Sequence, residues 1–383
     1  MKNVAVLSFA MMLAACATVP EAQRTGRLFN DHLFAPASEP ISVDAVFALS
    51  AAMKHYLNVT IADQLRAKGR QQGLIDALYR KDQLKLEYDS GITRNASQAF
   101  EARSGNCLSL VIMTAAFAKE AGLTVRYQKV LLDEVWSRGG GIYFSSGHVN
   151  LTLGKNDTGN RTLFEDRTPI TIDFLPPDAN RGPYLRPIGE ETIVAMYMNN
   201  RAAESLLRGQ LNDAYWWARE AIRQDPGFLS SYNTLGIVYR RHGDLQAAEQ
   251  ALALALEHEP GNSQFMSNLA LVLSDQGRLA EANLLIHKLE QMNPHPPFHY
   301  FNLGISAMQV RDFHAAKALF AKEVERDPSY HEFHFWLGVA HFSLGEVKQA
   351  STHLTFAMDN STTRNEHDLY AAKLDRIRSY LRQ

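Results

Sequence analysis

The second half of the chain carries a 34-residue period, which constrains its fold more than any other feature of the sequence. The period is marked by prolines at 226, 260, 294 and 328. Between them small residues recur at fixed positions, as at Gly236, Gly304 and Gly338. Small residues let two antiparallel helices cross closely, and Pro ends the second helix of each pair. The pattern predicts five helical hairpins over about residues 195–362 and a capping helix over 365–381.

This pattern resembles the tetratricopeptide repeat (TPR). The resemblance implies an all-α solenoid over residues 189–383, with a concave surface that in this family usually binds peptide or protein segments. Asn200, Asn268 and Asn302 fall at the same repeat position, so their side-chain amides are candidates for hydrogen bonds to an extended peptide backbone. The alternative is that Asn is simply common at this position.

Histidines in the last repeat raise the question of a metal site. His331, His334 and His341 lie on one predicted helix and roughly on one face of it. Imidazole is a common zinc ligand, but packed or solvated His is the more frequent role, and no Cys or acidic ligand accompanies these residues at regular spacing. We therefore predict no metal and no cofactor.

The first residues are typical of an export signal. Lys2 gives a positive start, and an apolar run follows over residues 4–15, which is too short to span a bilayer as a helix. The run ends in Leu-Ala-Ala-Cys16, which resembles the lipobox of bacterial lipoproteins. The resemblance implies a signal peptide over 1–15, a lipid on Cys16, and an anchor in the outer membrane facing the periplasm. The alternative is a plain secretory signal with an accidental Cys.

Composition, charge and cysteine count narrow the possibilities further. Residues 16–40 are rich in Ala, Pro and polar residues, which predicts a tether with little structure. The formal net charge of -2 gives no reason to expect nucleic acid as a partner. Apart from Cys16 the chain has one cysteine, Cys107. A lone thiol in an oxidising compartment is a liability unless it is buried or used, so Cys107 is either structural or a nucleophile.

Three residues between the tether and the repeats stand where cysteine chemistry needs them. Cys107 follows Arg-Ser-Gly-Asn and opens an apolar helix, and the free N–H groups at a helix N-terminus favour a thiolate. His148 begins a predicted strand in Gly-His-Val-Asn, and Asp173 ends a later one in Ile-Thr-Ile-Asp.

The order of Cys at a helix start, His on a strand and Asp after the next strand resembles the transglutaminase-like superfamily of papain-like cysteine enzymes. The resemblance implies an α+β domain over residues 41–188. It also implies that Cys107 is the nucleophile, His148 the acid–base group, and Asp173 the residue that orients the imidazole. Asp166, in Phe-Glu-Asp-Arg-Thr-Pro, is an alternative third member.

These patterns together predict an envelope lipoprotein with a cysteine-dependent amide hydrolase or acyl transferase domain. The TPR array would bind the protein or peptide partner, and the lipid would hold the chain at the membrane. The rival hypothesis is a non-catalytic TPR scaffold in an envelope protein assembly, with Cys107 as an ordinary thiol.

Overall fold

The computed structural model describes residues 25–79, 84, 86–139, 142–155, 169–174 and 184–381. The predicted signal peptide, Cys16 and Asp166 lie outside these residues. None of the helices in this part of the chain combines the length and the apolar character that crossing a bilayer requires.

Short helices precede the first strand. They are a 3-10 turn Asp31–Leu33, α1 Asp44–Phe47, α2 Ala51–His55, a π-helical turn Tyr56–Thr60, α3 Ala62–Lys68 and α4 Arg70–Tyr79. The Ser50 hydroxyl caps α2 by accepting a hydrogen bond from the Met53 backbone N–H. Met53, Leu74 and Leu78 are buried, so these helices turn apolar faces towards the core of this region.

A buried helix and an antiparallel sheet follow. The elements are β1 Glu87–Tyr88, α5 Ala96–Ala102, β2 Ser104–Gly105, α6 Cys107–Glu120, β3 Leu123–Gly139, β4 Ile142–Lys155, β5 Ile170–Ile172 and β6 Tyr184–Ile188. Four strands form one sheet in the order β5-β4-β3-β6, and all its neighbours are antiparallel. Residues Leu108–Ala118 of α6 are all buried, because apolar or small side chains surround this helix on every side. Helix α6 therefore lies at the centre of the core.

The rest of the described chain consists of helical hairpins with the predicted 34-residue period. The first three units are α7 Glu190–Leu207 with α8 Leu211–Gln224, α9 Ser230–His242 with α10 Leu245–His258, and α11 Ser263–Asp275 with α12 Leu279–Met292. The fourth and fifth units are α13 His299–Gln309 with α14 Phe313–Arg326, and α15 His331–Ser343 with α16 Val347–Asp359. A further helix, α17 Arg364–Leu381, follows the fifth unit.

The two helices of a unit cross where the sequence places a small residue. A Cβ atom added at Gly236 would lie 2.6 Å from Leu252 Cγ, and one added at Gly304 would lie 2.5 Å from a ring carbon of Phe320. Such distances are shorter than van der Waals contact, so only a residue without a side chain lets α9 and α10, or α13 and α14, approach this closely.

Residues 25–40 differ from the sequence-based expectation. The sequence predicts a tether with little structure over 16–40, whereas residues 25–40 lie along the first two repeat units. The Phe34 ring stacks on Tyr215 with 3.9 Å between ring centroids, and the Tyr239 hydroxyl donates to the Leu28 carbonyl at 2.6 Å. The Ser38 N–H and hydroxyl both donate to the Asp213 carboxylate. The segment is therefore a packed part of the fold from residue 25 onwards.

Within the described residues, buried apolar side chains form one large cluster and two smaller ones. The large cluster runs from Leu28 to Ala282, so the N-terminal segment, the region around α6 and the first three units share it. The fourth unit and part of the fifth form a second cluster from Phe298 to Ala340. The fifth unit and α17 form a third, from Phe335 to Ile377, and Trp336 packs against both small clusters.

Candidate active site

The N-terminus of α6 is fixed by its cap. Asn106 accepts hydrogen bonds from the Ser109 backbone N–H at 2.9 Å and from the Ser109 hydroxyl at 2.8 Å. A Cβ atom at Gly105 would lie 2.6 Å from the Ser109 Cβ, so the Gly-Asn-Cys sequence is what allows this turn. Cys107 is the first residue of the helix and is partly exposed. Since the rest of α6 is buried, the thiol is held on a rigid support.

Strand pairing brings His148 and Asp173 together. His148 stands on β4 opposite Val130 of β3. On the other side of β4, Leu151 pairs with Ile172 of β5, so Asp173 follows at the level of Asn150, two residues from His148. The His148 Nε2 atom and the Asp173 Oδ1 atom are 2.6 Å apart. This distance corresponds to a short, charge-assisted hydrogen bond.

His148 also lies near enough to Cys107 for the thiol to affect the pKa of the imidazole. Because Nε2 is engaged by Asp173, the other ring nitrogen, Nδ1, is the one available to the thiol. Burial of the ring lowers the pKa of His148, but the hydrogen bonds and charges of Asp173 and Cys107 outweigh it and raise that pKa to about 9. The structure thus brings the three residues singled out from the sequence into one connected group.

Asn150 is a member of this group that the sequence analysis did not identify as functional. Its Nδ2 atom donates to Asp173 Oδ2 at 3.0 Å, while His148 engages the other carboxylate oxygen. Asn150 is 2% exposed, and its Oδ1 atom has no hydrogen-bond partner. Because residues two apart on a strand share a face, the position of Asn150 two residues after His148 is the sequence feature that places it beside the candidate site.

Tyr88 lies beside the thiol and was also missed. It pairs with Gly105 in the parallel β1–β2 bridge, two residues before Cys107. Desolvation by the surrounding protein raises the pKa of the Tyr88 hydroxyl, although the residue is 45% exposed, and the neighbouring charges of Cys107 and Asp89 raise that pKa further. A strand of two residues such as β1 is too short to show an alternating pattern in the sequence, so the sequence does not predict this contact.

The segment 89–94, which we call the bridging loop, joins the candidate site to the repeats. The buried Thr93 accepts a hydrogen bond from the side chain of Asn106 at 2.9 Å and another from Asn200 at 3.2 Å. The Thr93 N–H donates to Glu204 Oε1 at 2.7 Å. At its other end, the Ser90 N–H donates to the Thr362 carbonyl at 3.1 Å. The loop therefore contacts both α7 in the first unit and the segment before α17.

The three asparagines singled out as peptide ligands lie in different surroundings. Asn200 is engaged by the bridging loop, as just described. Asn268 donates to the Asn233 side chain at 2.7 Å. Asn302 is exposed, and its backbone carbonyl accepts a hydrogen bond from the Ser306 hydroxyl. The first of these amides is thus used to join the repeats to the α6 region.

The histidines of the last repeat make contacts within the protein. His331 is 3.0 Å from the Tyr370 hydroxyl, and His334 is 3.0 Å from His353 through their Nδ1 atoms. His341 Nδ1 lies 2.5 Å from a Glu346 carboxylate oxygen. Across the described part of the chain, no group of three or more His, Cys, Asp or Glu residues is arranged to hold a metal ion.

Comparison with known proteins identifies the repeats. A family model described as tetratricopeptide repeat matches residues 233–286 and 301–351. No curated protein sequence matches the chain.

Similar solved structures cover about half of the chain. One is a double mutant of MamA from RS-1, 21% identical over 45% of this chain and 95% of that chain, with a TM-score of 0.26. Another is pilF of Pseudomonas aeruginosa, 17% identical over 49% of this chain and 94% of that one, with a TM-score of 0.28. A tetratricopeptide repeat protein from Parabacteroides merdae is 18% identical over 50% of this chain and 75% of its own, with a TM-score of 0.26. The family match and the observed hairpins confirm the prediction of a helical repeat array, with tetratricopeptide repeats over residues 233–286 and 301–351.

Proposed function

We propose that this protein is an envelope lipoprotein that uses Cys107 to cleave or transfer an amide-linked acyl group. Its substrate is a protein or peptide segment that the repeat array binds. The observation that carries the proposal is that one imidazole, His148, is hydrogen-bonded to Asp173 and also lies near Cys107, at the first residue of α6. A structural cysteine has no need of such a partner.

The chemistry follows from the roles of these three groups. The Cys107 thiolate attacks the amide carbonyl, a C–S bond forms, and the carbonyl π electrons move to oxygen. When the tetrahedral intermediate collapses, the C–N bond breaks and the amine leaves with the proton that His148 donates. Asp173 keeps the imidazole oriented throughout. Water or an amine then attacks the thioester while the now neutral His148 accepts its proton, and the C–S bond breaks, which gives hydrolysis or transfer and restores the thiolate and the imidazolium.

The raised pKa of His148 supports a charged Cys–His pair in the resting protein. An imidazole whose pKa is about 9 is protonated at neutral pH. The proton that the leaving amine requires is therefore already on the ring before the substrate binds. The free N–H groups at the start of α6 would stabilise the thiolate in the same state.

The location in the cell rests on the first residues of the chain. Residues 4–15 and the Leu-Ala-Ala-Cys16 sequence support export, cleavage and lipidation of Cys16. We propose an anchor in the outer membrane with the folded chain in the periplasm. Mass spectrometry of the protein from bacterial membranes tests this: a diacylated Cys16 supports it, and an unmodified Met1 or Cys16 contradicts it.

The rate of Cys107 alkylation at pH 6 tests the Cys–His pair. We expect iodoacetamide to modify the wild-type chain about 100-fold faster than the His148→Ala variant, because in the proposed pair the imidazolium favours the reactive thiolate. The control is His55→Ala, since His55 is exposed on α2. Equal rates in the wild type and His148→Ala would overturn the catalytic proposal.

A second candidate function is a non-catalytic scaffold. The observation in its favour is that the family match lies entirely within the repeats, at 233–286 and 301–351. A scaffold would hold its partners equally well with or without the thiol. If the Cys107→Ala variant replaces the wild type in the cell without any loss of function, and the thiol shows an ordinary alkylation profile, this second function is favoured.

A further inference from the structure

The face of α12 that carries Ile286 is exposed to solvent, although the sequence of this helix follows the repeat. Ile286 occupies the position held by Leu252, Phe320 and Leu354 in the other units. Those three side chains are at most 1% exposed, whereas Ile286 is 41% exposed. Ala282 is the only buried residue of α12. A residue that elsewhere belongs to the core is therefore left in solvent at the end of the third unit.

The facing side of α13 is open as well. Leu303 occupies the position of Leu235, Leu269 and Leu337. Its equivalents are 0%, 9% and 4% exposed, whereas Leu303 is 46% exposed. In a stacked array this leucine contacts the second helix of the preceding unit. Both halves of the interface between the third and fourth units are therefore uncovered, while the same positions are buried at the neighbouring junctions.

The linker between these units explains the gap. Residues 293–298 separate α12 from α13, whereas 259–262 and 327–330 suffice at the junctions on either side. Pro296 and Pro297 lack an N–H group, and α13 begins only at His299. The large buried cluster ends at Ala282, and the next begins at Phe298. The third and fourth units thus have separate cores.

Most of the linker belongs to the fourth unit. Arg326 donates hydrogen bonds to the carbonyls of His295 and Pro296, and Phe298 is 1% exposed among aromatic rings of the fourth and fifth units. The fourth and fifth units therefore form one body, which meets the third unit near Asn293.

We propose that two copies of this chain associate through the open junction, with α12 of one copy packed against α13 of the other, and the reverse. The repeat itself indicates that the partner at this junction is a second copy of the chain. The two open faces are the two halves of a single unit-to-unit interface, of the kind already formed between α10 and α11 and between α14 and α15. Each chain carries one of each half, so two copies leave none of them uncovered, as two-fold symmetry requires.

Attachment of the distal body explains why the halves do not meet within one chain. The Ser90 N–H holds the Thr362 carbonyl at 3.1 Å, so the segment after the fifth unit is tied to the bridging loop. In the open arrangement the faces of α12 and α13 remain available to a second copy. This proposal is independent of the catalytic one, because it uses no residue of the candidate active site.

Sedimentation of the purified full chain tests the association. We expect a dimer with a dissociation constant of about 10 µM or below, and at least a tenfold weaker one for Ile286→Asp and for Leu303→Asp. The matched control is Leu369→Asp on α17, since Leu369 is 49% exposed away from the junction. A wild type that stays monomeric at about 100 µM, or variants that dimerise like it, would overturn the proposal.

Mixing the two variants gives a sharper result. Homodimers of either variant carry the defect in both interfaces, whereas a mixed dimer keeps one interface intact: α12 of the Leu303→Asp chain against α13 of the Ile286→Asp chain. We therefore expect mixed dimers in a sample where neither variant dimerises alone. Ile286→Gln and Leu303→Gln repeat the test with a milder change if either aspartate variant fails to fold.

Crosslinking separates association from internal closure. A chain with Ile286→Cys mixed with one carrying Leu303→Cys should form a disulfide between the two copies. In the double variant, a disulfide formed within one chain at high dilution would show that the junction closes on itself. That outcome would overturn the proposal.

Discussion

The first three repeat units and the last two follow the same 34-residue pattern but differ in what they pack against. The first units share one buried cluster with the N-terminal segment and α6. The last two have their own small clusters and are joined to the rest through the linker and through Ser90 and Thr362. The pattern therefore determines how the helices of one unit pair. Whether neighbouring units stack depends on the connection between them.

The polar groups buried in the two parts differ in the same way. Tyr215 and Tyr239 of the early units are hydrogen-bonded to the N-terminal segment, and burial raises the pKa of both hydroxyls. In the fifth unit the polar groups are histidines, and burial lowers the pKa of His334 and His353. These tyrosines therefore stay neutral in mild acid, whereas the histidines of the fifth unit can gain protons there.

The largest expected effect compares leucines at the same repeat position. Leu235→Ala removes a side chain with no exposed surface and should lower the free energy of unfolding by about 2–4 kcal/mol. Leu303→Ala removes one that is 46% exposed and should cost less than about 1 kcal/mol. Urea unfolding at low protein concentration, where copies stay apart, measures both. Equal losses would mean that the junction at α13 is closed in solution.

Acidification should separate the two parts of the array. The pKa of His353 is lowered to about 4, by burial and by the charges of His334 and His341, while an unfolded His titrates near 6.5. The unfolded chain therefore binds more protons between these values. The stabilisation is complete above about pH 6.5 and is lost as the pH falls towards 4.

Hydrogen exchange measures this difference. Between pH 7 and pH 5, we expect α15 and α16 to lose about 1–2 kcal/mol of protection after allowance for partial exposure, while α8 and α9 change little. In His353→Gln, which cannot be protonated, the loss should shrink. The same loss in the wild type and in that variant would show that this histidine is not responsible.

The smallest effect concerns the end of α13. Gly209, Gly243, Gly277 and Gly345 have positive φ where the first helix of their units ends, and Arg311 has φ 62° at the equivalent place in the fourth unit. Because a side chain is strained in this conformation, Arg311→Gly should stabilise the fourth unit by about 1 kcal/mol. Gly345→Arg should have the opposite effect. The urea midpoint of each variant decides, and destabilisation by Arg311→Gly would refute the idea.

The sequence predicted the hairpins because small residues such as Gly236 recur at an invariant spacing and are needed where helices cross. It did not predict the packing of residues 25–40, since their composition resembles a linker and their partners, such as Tyr215, lie almost 200 residues away. The sequence does not predict the open junction, because Pro294 keeps the regular spacing. The missing contact is visible only in the exposure of Ile286 and Leu303.

The sequence predicted those residues of the candidate site whose type and order along the chain are typical of a cysteine enzyme. Cys107, His148 and Asp173 were predicted from a helix start and two strand ends, and they lie together, although His148 stands inside β4 and not at the start of a strand. Asn150 and Tyr88 were not chosen, because an Asn on a strand or a Tyr in a two-residue bridge has many ordinary roles. Their contacts arise from strand register and from the turn at Gly105, which only the fold defines.

The bridging loop has a mechanical consequence. Its residues contact α7 through Glu204 and the segment before α17 through Thr362, so the first unit and the end of the fifth unit are hydrogen-bonded to the same six residues. If α7 and the segment before α17 move relative to each other, the hydrogen bonds that both make with this loop must change. Thr93 is also bonded to Asn106, which begins α6. A displacement of α7 or of the segment before α17 would therefore act on a loop that is bonded directly to the cap of the helix that carries Cys107.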